Sequence, residues 1–275
     1  MEDSQESFFM SEINSDALAC FEYIESILGF ELSISDKQPF LLFHDFITNP
    51  EPDFLAAWKN DLKGETWYHR FINDMLGHVQ NAYACVLYHQ NRLIELEQTV
   101  ISGVEKFNYR KTIGKNSAIG GGNTLKFDFE YQAYILAFRR CLDYFARAIG
   151  SYFKNNFNSF RKLTSDLSKI NHKSPTDSLV KVIEKYYPLF EFVLSNGDRK
   201  SVRDIISHYE FVKAGTINLS HRGISIVGGG KDFVIYGDGN ILLSELLSTQ
   251  VLNLRLCLRE VINKYIQIIK SNHRD

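Results

Sequence analysis

Apolar residues recur at intervals of three and four along most of this chain, and that period predicts one helix after another. From Glu12 to Phe30, Ile13, Leu18, Phe21, Ile24, Ile27 and Leu28 fall on one side of a helical cylinder, with Gly29 near the stop. Short helices are expected around 38–48 and 53–62, separated by Asn49-Pro50-Glu51-Pro52. Residues 65–110 carry the longest unbroken pattern, from Trp67 through Phe71, Val79, Tyr83, Val86, Leu93 and Val104 to Phe107. A straight helix of that length would span about 65 Å, so it should either kink near Gly77 or Gly103 or serve as a dimerising rod. Phe127 to Phe157 holds the clearest stripe, with Tyr131, Tyr134, Ile135, Phe138, Leu142, Phe145, Ile149 and Phe153 in register. Two more helices are predicted over Ser159–Lys173 and Thr176–Leu194, the second kinked or restarted at Pro188.

After Gly215 the period changes from 3.6 to two. Thr216–Ser220, Ile224–Val227 and Phe233–Tyr236 alternate, separated by His221-Arg222-Gly223 and by Gly228–Asp232. The helical pattern returns from Ile241 to Ile269. The fold class is therefore mostly α, a helical bundle with a small antiparallel hairpin or three-stranded meander inserted near 214–238. Lys111 to Asn123, rich in Gly, Asn and Ser, reads as a flexible connector. The Walker order G-x-x-x-x-G-K-[ST] is absent from it, which argues against a phosphate-cradling loop. These shifts suggest three parts: an acidic helical region at 1–64, a long helix and Gly-rich connector at 65–124, and a helical body at 125–275.

Composition leaves that picture intact. With 44% hydrophobic and 23% charged residues among 275, the balance is that of a globular chain, and five prolines leave long runs free to be helical. Cys20, Cys85, Cys141 and Cys257 are dispersed, lie in apolar helical patterns and form no C-x-x-C pair, so they read as reduced core residues of a cytoplasmic protein. The start MEDSQESFF is acidic where a signal peptide would be basic, and no window approaches a membrane span. Charge adds a contrast. Residues 1–64 hold 13 Asp and Glu against three Lys, whereas the remainder has an excess of eight positive charges. The later part could meet a polyanion such as RNA, and the acidic region could dock on the body or mask a basic site.

Candidate chemistry gathers in Ser195–Gly215. Asn196-Gly197-Asp198 is a turn signal that places a helix start near Asp198, and Val202, Ile205, Ile206 and Tyr209 supply its apolar stripe. At about 100° per residue, Arg203 and His208 are about 140° apart, within reach of a long guanidinium. Asp204 stands four residues before His208 and can touch it, while Arg199 lies four residues before Arg203. A histidine can both accept and donate a proton near neutrality, and a guanidinium forks onto two phosphate oxygens. Those are requirements of RNA cleavage by the substrate's own 2′-hydroxyl. No G-x-S-x-G, H-E-x-x-H or paired-cysteine zinc pattern competes, and His69, His78 and His89 have spacings that stack no metal pair. Neither a metal nor a cofactor is expected.

The run Arg203-Asp204-Ile205-Ile206-Ser207-His208 resembles the motif of the HEPN superfamily, helical bundles whose nuclease members carry Arg, a polar residue, a short spacer and His on one helix. The stretch from Glu130-Tyr131-Gln132-Ala133-Tyr134 to Phe153 is similar to the helix preceding the motif helix in such bundles. The resemblance covers roughly 125–270. It implies a metal-independent endoribonuclease, with Arg203, His208 and Asp204 as catalytic candidates and Arg199 and Lys200 as RNA contacts. It also implies a homodimer in which two motif helices pool their side chains in one cleft. By analogy it suggests a toxin or defence effector restrained by an inhibitory protein. The alternative is a non-catalytic RNA- or protein-binding scaffold in which the motif is structural.

Overall fold

A computed structural model describes residues 15–114, 118–120, 123–170, 175–194, 200–208, 211–220, 223–228 and 242–273. The chain divides into two compact units, 1–33 and 34–275. The first contains helix α1, Ser15–Leu28, whose Leu18, Phe21, Ile24, Ile27 and Leu28 are exposed. Compactness therefore changes at 33/34, not near 64. Helices α2 (Ile34–Thr48) and α3 (Asp53–Lys59) belong to the larger unit, where Phe40, Phe43, Phe46, Phe54 and Leu55 are buried. Charge marks residues 1–64 as one acidic stretch, but burial divides it: Phe21 and Phe30 are exposed, whereas Phe40, Phe43, Phe46 and Phe54 are buried.

The larger unit is mostly α-helical. Helix α4 (Glu65–Asn73) runs through a π-helical turn, Asp74–Val79, into α5 (Gln80–Val104). The π turn contains Gly77, so the expected interruption takes the form of a wider turn within a continuous helical path. Along this path Phe71, Met75, Val79, Tyr83, Val86 and Leu93 are buried in the chain's own core. Their main partner is α6 (Leu125–Tyr152), which lies antiparallel. The cross-links fix that direction. Arg147 Nε contacts Asp74 Oδ2 at 3.1 Å, the Cys141 thiol faces Val79 O, Arg140 Nη2 reaches Cys85 Sγ at 3.4 Å, and His89 Nδ1 meets Glu130 Oε1 at 2.5 Å.

Helix α10 (Leu243–Asn272) completes the core and runs in the same sense as α6. Tyr134 OH donates to Gln250 Oε1 at 3.1 Å, and fifteen residues on along each helix Tyr265 OH donates to Ile149 O at 3.1 Å. Between α6 and α10 in sequence, the helix expected over 159–173 is shorter. A single 3₁₀ turn, Phe160–Lys162, leads into α7 (Leu163–Ser168). Helix α8 (Pro175–Glu184) follows, and a 3₁₀ turn at Pro188–Phe190 falls where proline was expected to restart the helix.

The sheet is small and antiparallel, in the order β1-β2-β3. Strands β2 (Gly215–Ser220) and β3 (Gly223–Gly228) form the expected hairpin, with Ile217 opposite Ile226. A further strand comes from outside the region where strands were expected. It is β1, Ala118–Gly120, which lies in the Gly-rich stretch read as a flexible connector, and it pairs Ile119 with Leu219 on the outer edge of β2. An edge strand presents unpaired backbone groups, and three residues of almost any composition can satisfy them. The strand expected at Phe233–Tyr236 lies outside the described residues.

Candidate functional site

The motif helix α9 spans Val202–His208, seven residues, and begins later than the turn at Asn196–Asp198 suggests. Its start is set by Ser201, which is buried. Ser201 O accepts from Ile205 N at 3.0 Å, the first helical hydrogen bond, and Ser201 Oγ accepts from Asp204 N at 3.2 Å. This is an N-cap with an acidic residue at the third helical position, a place where a carboxylate also faces the positive end of the helix. Asp204 thus has a local structural role that its distance from His208 does not reveal.

Helix α6 holds α9 at both ends. On entry, Val202 N donates to Phe192 O at 2.9 Å, the Phe192 ring packs on Phe138 at 4.9 Å, and Arg139 Nη1 donates to Val193 O at 3.1 Å. On exit, Phe211 packs edge-on against Phe129, Gln132 Nε2 donates to Val212 O at 3.2 Å, and Asp128 Oδ1 accepts from Ala214 N at 2.8 Å. Asp128 is buried, so its carboxylate replaces the water that this turn would otherwise bind. Val202 faces the core, whereas Ile205 and Ile206 are only half-buried.

The candidate side chains sit on the accessible side of this fastened helix. Arg203 keeps 34% and Asp204 24% of side-chain exposure, and Arg203 Nη1 donates to Asp204 Oδ1 at 2.8 Å. His208 is exposed at the last helical position, and Lys200 is exposed just before the cap. Arg199 lies outside the described residues. Asp204, the carboxylate expected to orient His208, also accepts from the neighbouring guanidinium. Adjacent side chains on a helix normally diverge, and the length of Arg203 closes the gap.

The structure also brings together groups that the sequence analysis did not pair. His89 and Glu130 form a half-buried pair across α5 and α6. Asp74 is buried among Arg70, His78 and Arg147, with Arg147 the nearest at 3.1 Å. Asp36 accepts from Tyr83 OH at 2.7 Å and pairs with Arg255 Nε at 2.9 Å; burial, with the Asp36 carboxylate beside it, pushes the Tyr83 hydroxyl well above the usual tyrosine range. Arg70, Asp74 and His78 follow one another at spacings of four, but no local signal announces the other pairs, whose members are 41 to 219 residues apart. Among the described residues, no group of three or more His, Cys, Asp or Glu stands ready to hold a metal ion, and no helix is long and apolar enough to cross a membrane.

No protein-family model matches the chain, and neither a curated protein nor a solved structure matches it.

Proposed function

We propose that this chain is an endoribonuclease of HEPN type that needs no metal, acting through Arg203 and His208 in a cleft shared by two copies. The observation that carries this reading is exposure. The imidazole and the guanidinium lie on the solvent side of a short helix whose two ends are tied to α6, so they are accessible yet held on a rigid support. In the proposed reaction the 2′-hydroxyl oxygen attacks the adjacent phosphorus and its proton passes to an imidazole. The bond to the 5′-oxygen breaks, that oxygen takes a proton, and the products are a 2′,3′-cyclic phosphate and a 5′-hydroxyl. Arg203 offers its fork to the phosphate oxygens as charge builds on them. One histidine cannot be both base and acid in the same step, which is why the reading requires the second copy. A role as a toxin or defence effector under an inhibitory partner belongs to the same proposal.

The second reading is a non-catalytic RNA- or protein-binding scaffold. It draws on the Arg203–Asp204 pair and the Ser201 cap, which give two of the three motif residues structural work. Two measurements on the same proteins separate the readings. For the enzyme, His208→Ala abolishes RNA cleavage and leaves the melting temperature nearly unchanged, since exposed side chains shift stability by about 0.5 kcal/mol or less. Arg203→Lys rescues poorly because a point charge does not reproduce the fork. Cleavage survives chelator, and light scattering finds a dimer. Wild-type protein that cleaves no RNA, together with a large melting shift on His208→Ala, establishes the scaffold instead.

A further inference from the structure

A run of exposed positive charge lies outside the motif, in the segment that leaves α6. Between Phe153 and Ile170 the chain carries Lys154, Arg161, Lys162 and Lys169 against a single acid, Asp166, and all four cations are exposed. The apolar residues of the same stretch point inward: Phe157, Phe160, Leu163 and Leu167 are buried. What remains outside is a polar groove of about 480 Å³, lined by Lys162 and Lys169 together with Asn156, Asn158, Ser159, Ser165 and Asp166.

Two further cations back this groove. Arg70 Nη1 donates to Asn156 Oδ1 at 2.5 Å, and Arg139 Nη2 donates to Ser159 Oγ at 3.0 Å. The one carboxylate in the lining, Asp166, is met by Lys169 Nζ at 3.2 Å. Cations alternating with amides and hydroxyls match a chain of phosphates and sugars, in which each anionic group is flanked by hydrogen-bonding oxygens. A lipid surface is a poorer fit, because Phe157, Phe160, Leu163 and Leu167 are buried and none of the segment's large apolar side chains is fully exposed for insertion. Arg139 also connects this groove to the motif helix, since its other guanidinium nitrogen holds Val193 O beside the Phe192–Val202 hydrogen bond.

From these observations we infer that the groove over 154–169 is a binding track for the sugar-phosphate backbone of single-stranded RNA. The inference rests on RNA as the partner proposed above, but not on cleavage. Because the contacts are electrostatic, affinity falls steeply with salt, by about 0.7 in the log–log slope for each phosphate neutralised on a single strand.

The test uses the full chain and a fluorescent 2′-O-methyl oligoribonucleotide, which lacks the attacking hydroxyl, with binding followed by anisotropy across a salt series. The triple variant Arg161→Gln/Lys162→Gln/Lys169→Gln leaves Lys154 in place, because Lys154 sits over the Trp58 ring at 5.1 Å and contributes to packing. The expected result is a loss of affinity of about tenfold or more at low salt and a slope smaller by about 2. A charge-matched control, Lys106→Gln/Lys111→Gln/Lys181→Gln, should bind like wild type with an unchanged slope. Wild-type binding that the groove variant leaves intact overturns the track while RNA remains the partner. No binding of the oligonucleotide by wild type overturns the track and the RNA reading together. Binding to vesicles containing phosphatidylserine, lost in the groove variant while RNA binding is absent, assigns the surface to a membrane and overturns the inference. Cleavage separates the two sites: the groove variant should raise KM with little change in kcat, whereas His208→Ala should leave oligonucleotide binding intact.

Discussion

Single residues decide where the functional segments leave the core. Gly150 is such a residue: a Cβ there would stand 2.7 Å from Asn155 O and 2.8 Å from Phe157 Cδ2. One obstacle is backbone and the other a buried ring, so neither can yield cheaply, and the missing side chain is what lets residues 155–157 fold back on the end of α6. Gly150→Ala should destabilise the protein by about 1–3 kcal/mol as an overpacked site, measured by urea unfolding. A midpoint equal to wild type would show that the loop is free to move away. Ser201 fixes the other functional segment. Ser201→Ala removes the acceptor for Asp204 N and should cost about 1 kcal/mol, the usual size of a lost N-cap. Thermal unfolding that shows no loss would mean that the packing of Val202 and the Phe192 hydrogen bond hold α9 without its cap.

At the scale of elements, buried carboxylates supply caps that the local sequence lacks. The position before α10 is Leu242, which has no side-chain cap, and Glu97 from α5 fills that role by accepting hydrogen bonds from the backbone and hydroxyl of Ser244. Burial raises the carboxyl pKa of Glu97 above its ordinary value, although the Ser244 hydrogen bonds oppose the shift. A raised value means that the folded chain keeps this proton to a higher pH than the unfolded chain does. The sign is then fixed: this group's contribution is best below the unfolded carboxyl value and declines as pH rises toward the folded one. Glu97→Gln keeps an acceptor for Ser244 and removes the titration. The stability of the variant relative to wild type should therefore increase from mildly acid to neutral pH, and a difference constant with pH would refute the assignment. His273 gives the opposite sign at the other end of α10. It stays exposed to solvent while stacking on Phe54 with ring centroids 4.4 Å apart, and this partial desolvation lowers its pKa below the usual histidine value. Its contribution is present at neutral pH and is lost as pH falls through the unfolded and then the folded value. His273→Phe should flatten that acid limb of the stability profile.

For the molecule as a whole, reactivity follows burial. Cys141 and Cys257 are fully enclosed, and desolvation pushes both thiols above the ordinary cysteine value, which suppresses the nucleophilic thiolate. Cys20 is exposed on α1, and Cys85 is half-buried beside Arg140. Native protein should label with maleimide at Cys20 first and at Cys85 more slowly, with Cys141 and Cys257 reacting only after denaturation. Fast labelling of either buried thiol, read by mass spectrometry of peptides, would mean that the α6–α10 core opens readily.

How much of this was legible in the sequence depends on the range of the interaction. The 3.6-residue stripes determined that the chain is mostly helical, because amphipathic spacing reports burial wherever a helix has only one wet side. The change to a period of two located the β2–β3 hairpin, and Pro188 marked a restart, since proline acts through its own ring on its own neighbours. Arg203, Asp204 and His208 could be named as candidates from their types and spacing. The sequence alone could not indicate that Ser201 caps the motif helix in preference to the earlier turn, that Asp204 pairs with its neighbour Arg203, or that Arg139 ties that helix to the 154–169 groove. Nor could it show that Ala118–Gly120 would complete the sheet. Those outcomes depend on which buried backbone group or charge lacked a partner once the helices had packed. Satisfying it by the nearest group in space, often a hundred residues away along the chain, is a choice that only the tertiary structure makes.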